Sequence, residues 1–276
     1  MNVDFYAEPG PLTELTTAQA GLICRLDPDP VGLCRVAQGL LISPPDAIAA
    51  GLAASRHDER NVRAASALMQ RAFELDSTTP LREPRSASDR VVGTCRHYAA
   101  LATSFLRAHS IPARGRCGFA TYFVPPQIVD HWIVEYWSAE QERWIRIDAE
   151  YLDVDTPAPS RPEDLRPGEF LAAGEAWTLL RSGAEDPMNF GVFGTENWGP
   201  GEVRGNAMRD LASITNKIEM LPWDEWGPMT DSYDNKTGPE FDDLMDQLAD
   251  ATNNNDSATL RRIYDERLSV PASMIR

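Results

Sequence analysis

The spacing of apolar and polar positions divides the chain into three stretches. Up to about residue 76, apolar residues recur at helical spacing over an alanine-rich background, predicting helices over 31–42, 45–54 and 58–75. Ser43-Pro44-Pro45 and Arg56-His57-Asp58 supply the breaks between them. A polar, proline-containing connection leads to the densest pattern in the chain, residues 91–151, which reads as one helix followed by three strands. A proline-rich loop over 153–168 follows, and then helical patterns at 169–180, 202–218, 239–251 and 257–268. The expected organisation is a helical N-terminal region (1–85), an α+β core (86–155) and a mainly helical C-terminal region (156–276) packed on the core as one domain.

In the central stretch, Tyr98, Leu101, Ala102, Phe105 and Leu106 form one apolar stripe of a helix, with Thr94 as its N-cap and Ile111-Pro112 as its stop. Cys95 then falls in the first turn. There the helix dipole and the unpaired backbone N–H groups favour a thiolate, and the same N–H groups can hold an oxyanion. His97 lies on another side of the helix and reads as solvated or locally hydrogen-bonded, and His109 as a cation at the helix C-terminus.

Residues 130–137 and 143–148 read as the two strands of a hairpin. Pairing Trp137 with Trp144 sets Ile133 opposite Asp148 with His131 one diagonal away, and the alternative register pairs His131 with Asp148 directly; in both, the two side chains share a face. An imidazole and a carboxylate can therefore meet across the hairpin, with the second ring nitrogen left for Cys95. On the preceding strand, 113–120, Ala113, Gly115, Cys117 and Phe119 share one face and Arg114 and Arg116 the other, which makes Cys117 a core residue.

Charge narrows the function classes. The chain has 276 residues and a formal net charge of −16, which argues against nucleic acid and anionic membrane surfaces as partners. The acidity lies outside the central stretch: from Arg90 to Arg146 there are seven arginines, no lysine and four acids. A locally basic site able to take an anionic substrate is one expectation from that asymmetry. The N-terminus carries no signal-peptide pattern and no apolar run is long enough for a membrane span, so a cytoplasmic location is expected. Four cysteines are too few for a disulfide scaffold and show no CxxC spacing, and the acidic run 239–250 lacks a calcium-loop pattern. No metal and no cofactor are expected.

Gly93-Thr94-Cys95 with Tyr98-Ala99, then Ile111-Pro112-Ala113-Arg114, Asp130-His131-Trp132 and Trp144-Ile145-Arg146-Ile147-Asp148, resembles the core of the transglutaminase-like superfamily. The resemblance implies a papain-like α+β fold, in which a helix with an N-terminal cysteine packs on an antiparallel sheet, here with helical N- and C-terminal embellishments. It also implies a Cys95–His131–Asp148 triad that attacks a peptide, protein or small amide or ester through a thioester, with water or an amine as acceptor. Trp132, beside His131, and Trp223, in an aromatic loop, are expected to contact the substrate. Two other readings stay open: a non-catalytic binding or assembly module on the same fold, and an amidase like the peptide N-glycanases.

Overall fold

The computed structural model describes residues 3–154, 159–234 and 236–275. Residues 155–158 of the proline-rich loop lie outside the described residues. The elements are α1 (Thr17–Ile23), α2 (Pro30–Leu40), β1 (Leu41–Ile42), α3 (Pro44–Ala49), α4 (Ala65–Leu75), β2 (Val91–Val92), α5 (Cys95–Ala108), β3 (Ala113–Val124), β4 (Gln127–Ser138) and β5 (Arg143–Ile147). They continue with β6 (Phe170–Ala172), α6 (Ala173–Ser182), β7 (Phe190–Gly191), α7 (Pro200–Ile214), α8 (Pro228–Tyr233), α9 (Pro239–Asn253) and α10 (Ser257–Ile263). The α+β class is as expected: α5 packs against an antiparallel sheet of order β5-β4-β3-β6, with β7 added parallel to the start of β4. Among the described residues no helix is long and apolar enough to cross a membrane.

Of the two hairpin registers, the structure adopts the one that pairs the tryptophans rather than His131 with Asp148 directly. Trp137 pairs with Trp144 and Val134 with Ile147, so the next residue, Asp148, comes opposite Ile133. Strand β3 runs four residues beyond its expected end and pairs Gly118 with His131. A side chain at Gly118 would meet Leu171 O at 2.1 Å, so only glycine lets β6 close on β3 at this point. Where the β6 pairing ends at Gly118, one face of α7 takes over: Asn206, Asp210 and Ser213 bond Gly118 O, Cys117 N and Gly115 O in turn. An open strand edge is thereby satisfied by side chains at helical spacing.

The 31–42 pattern, expected as one helix, ends at Leu40, and Leu41-Ile42 instead pairs in parallel with Val91-Val92. This two-residue ladder aims the chain into α5. It is anchored by the Glu59 carboxylate, which accepts from Val92 N at 2.9 Å and pairs with Arg56 and Arg71. Gly93 follows because a Cβ there would lie 2.9 Å from the His97 Cβ.

Helix α5 departs from the expected single apolar stripe, since every residue from Arg96 to Arg107 is buried. Its apolar side packs with α2, α4, β4 and β5. Its polar side is taken up by distant backbone: Arg96 donates to Glu219 O and Arg63 O, and Arg107 to Tyr6 O, Ala113 O, Thr13 and Asn216. The expected C-terminal helices do form, and with Tyr6, Leu12, Phe119 and Ile128 they build a second apolar cluster. The helix that bears Cys95 is thus held by segments from both ends of the chain.

Candidate active site

Thr94 is the N-cap and Cys95 the first residue of α5, so the N–H groups of residues 95 and 96 precede the first hydrogen bonds of the helix, which begin with His97 N to Thr94 O. The turn is fixed by His97, whose Nδ1 accepts from Thr94 N at 3.0 Å and whose Nε2 lies 3.0 Å from Val62 O. Burial holds the His97 pKa down to about 3, so this histidine is a neutral structural bracket, buried rather than solvated. His109 sits where the sequence put it, as the C-cap of α5, with Nε2 3.0 Å from Ile23 O.

His131 on β4 and Asp148 just past β5 are both buried, and His131 Nε2 lies 2.9 Å from Asp148 Oδ2. Asp148 is held from several sides. Tyr122 donates its hydroxyl to the same oxygen, Glu150 N donates to Oδ1, and Asp148 N is tied to Pro162 O. With Nε2 committed to the carboxylate, Nδ1 is the ring nitrogen left for a thiol. Cys95 Sγ and a His131 ring nitrogen lie within 4.8 Å of each other, and the Glu150 carboxylate lies within the same distance of both.

The electrostatics follow from burial and these partners. Burial works against the imidazolium of His131, but Asp148 outweighs it and, with Cys95, holds the His131 pKa well above 6.5. Burial pushes the Cys95 thiol up from 9.0, and His131 draws it back only in part. The helix start therefore does not by itself give a low thiol pKa, as the sequence led us to expect, and the nearby imidazolium is what favours the thiolate. Burial also raises the Glu150 carboxyl to about 7, with His131 opposing.

Aromatic rings enclose His131: Phe123 meets it edge-on with centroids 5.0 Å apart, and Tyr151 and Tyr122 stand at 6.2 and 6.4 Å. The other expected residues lie elsewhere. Trp132 points to the opposite side of β4, is 1% exposed, and packs with Cys117, Ala99 and Cys95. It supports the helix start from beneath and presents no surface to a substrate. Trp223 is 45% exposed, and its ring carries the Arg60 guanidinium at 5.2 Å.

The residues that the sequence reading missed are Tyr122, Phe123, Glu150 and Tyr151. Tyr122 was within reach of it, because carrying β3 on to residue 124 puts Tyr122 on the face of Gly118, the partner of His131. Glu150 and Tyr151 lie in a turn, where no strand alternation assigns a direction. The expected basic site is also corrected. Arg96, Arg107, Arg114 and Arg116 are buried and hydrogen-bonded to partners other than Cys95, His131 and Asp148, while Asp130, Asp148 and Glu150 contribute to the field around His131 and Cys95.

Residues 46–149 match the family model of the transglutaminase-like superfamily. This segment is similar to the transglutaminase-like core. The match runs from α3 to one residue past Asp148, so it contains Cys95, His131 and Asp148 and stops just short of Glu150. No curated protein and no solved structure matches the chain. The helices before and after the transglutaminase-like core, which clamp α5 and cover the edge of β3, thus lie largely outside the matched segment.

Proposed function

We propose that the protein is a cysteine-nucleophile acyl-transfer enzyme that acts on an amide or ester through a thioester. The observation that carries this reading is a thiol at a helix start beside an imidazole whose far nitrogen is held by a buried carboxylate. In the proposed cycle the Cys95 proton passes to His131, and the thiolate attacks the carbonyl carbon. The first-turn N–H groups of α5 stabilise the tetrahedral oxyanion, and His131 returns the proton to the leaving amine or alcohol. Water or an amine then attacks the thioester and releases Cys95. Asp148 fixes the ring orientation and supports the imidazolium, with Tyr122 and Glu150 N holding the carboxylate in place.

The test is intact-protein mass spectrometry after exposure to activated esters and glutamine-containing peptides. A mass increase equal to the acyl group, mapped to Cys95 and absent from Cys95→Ala, is the expected result. Wild-type protein that forms no adduct with any donor, while remaining folded, would instead indicate a binding or assembly module on the same fold.

A further inference from the structure

The acyl-transfer reading uses Cys95 and His131 and assigns nothing to Glu150, although its carboxylate lies within 4.8 Å of both. We propose that Cys95 Sγ, the His131 ring nitrogen not bonded to Asp148, and a Glu150 carboxylate oxygen form a binding site for Zn2+ that reversibly occupies the nucleophile. The inference does not depend on the thioester chemistry, because the same three atoms would hold the ion in a protein that formed no acyl-enzyme.

Three observations support it. The donor set of one thiolate, one imidazole and one carboxylate suits a borderline ion such as Zn2+ and is poorly matched to Mg2+ or Ca2+, which prefer oxygen ligands. Charge closes as well: a thiolate and a carboxylate around a divalent ion sum to zero, which suits a site whose nearby side chains, Asp130 and Asp148, are acidic. The supports of a metal site are also present. Asp148 grips the far nitrogen of His131 at 2.9 Å, as a carboxylate does behind a zinc-bound histidine, and Gln38 Nε2 holds Glu150 O at 2.9 Å. Ligand atoms of a tetrahedral zinc ion stand roughly 3.3–3.8 Å apart, so closure on the ion asks each side chain to move by about an ångström. Binding forms Zn–S, Zn–N and Zn–O bonds, releases to solvent the protons carried by the thiol, by the ligating ring nitrogen of His131 and by the Glu150 carboxyl, and leaves the fourth position to water; nothing is oxidised or reduced.

The test uses the full chain, freed of metal by a chelator and titrated with Co2+ and then Zn2+. One equivalent of Co2+ should give a thiolate-to-cobalt charge-transfer band that Zn2+ abolishes and that Cys95→Ala lacks. Glu150→Gln should weaken Zn2+ binding at least about tenfold, with thermal melting used to confirm that the variant is folded. On wild-type protein, Zn2+ but not Mg2+ should protect Cys95 from alkylation, with peptide mass mapping as the readout. The proposal is overturned by an absent charge-transfer band, by Cys95 alkylation that Zn2+ does not slow, or by unchanged Zn2+ affinity in folded Glu150→Gln.

Discussion

Asp148→Asn is expected to slow the reaction of Cys95 with iodoacetamide at pH 7 by roughly 10- to 100-fold. Burial alone would drive the His131 pKa below 6.5, and the negative Asp148 carboxylate, 2.9 Å from Nε2, is the main influence that reverses this. Asparagine keeps the size and one acceptor but removes the charge. Burial then prevails, the imidazole is neutral at pH 7, and the thiol loses the cation that favoured its ionised form. The sign is visible in the pH profile. Because burial keeps the Cys95 thiol above its usual range even beside His131, both proteins should react faster as the pH rises, with the variant's profile displaced to higher pH because it lacks the imidazolium. Superimposable profiles for the two proteins would show that Asp148 does not act through His131.

The second large effect concerns stability. Glu135, 1% exposed on β4, accepts from Arg114 on β3 at 2.7 Å, from Arg116 on β3 at 2.9 Å and from Arg146 on β5 at 2.9 Å. Burial disfavours the carboxylate, yet Arg116, Arg114 and Arg146 together hold its pKa far below 4.5. Glu135→Ala leaves these guanidiniums without their shared counter-charge, inside the sheet that carries His131. The expected loss is about 3–5 kcal/mol, with a fall in Tm of about 10 °C or more, measured by chemical and thermal denaturation. Because the folded-state pKa is depressed, this contribution is present at neutral pH and begins to decline only as the pH falls below 4.5. A loss under about 1 kcal/mol would mean that the arginines find other partners at little cost.

How much of this could be read from the sequence depends on whether a side chain's direction is set locally. Cys95 was legible because Gly93-Thr94 and the stripe beginning at Tyr98 define a helix start, and α5 begins there; the β1–β2 ladder that leads into it was not read from the sequence. His131 and Asp148 were legible because strand alternation puts them on one face in either of the two hairpin registers considered, of which the structure adopts the one that pairs the tryptophans. Glu150 was not, since it sits in the turn beyond β5, and its approach to Cys95 is a matter of tertiary placement. The burial of α5 was hidden for a related reason: the acceptors for Arg96 and Arg107 include Glu219 and Asn216, more than one hundred residues away. Trp132 was misread because the strand neighbour of His131 necessarily faces the other side of β4, towards α5. The arginine-rich composition was real, but salt bridges such as Arg116 with Asp210 and Glu135 keep those charges within the fold.

The central claim is that Cys95 is activated by its neighbours, and competition among the protein's own thiols tests it most directly. Cys24 is exposed, Cys95 half-buried, and Cys34 and Cys117 fully buried with thiols that burial raises. Limiting iodoacetamide at pH 7, followed by peptide mass mapping, ranks the four by rate. The account predicts that Cys95 reacts before the more accessible Cys24, and that His131→Ala removes this lead. Labelling in simple order of exposure, with Cys24 first and Cys95 unaffected by His131→Ala, would contradict it.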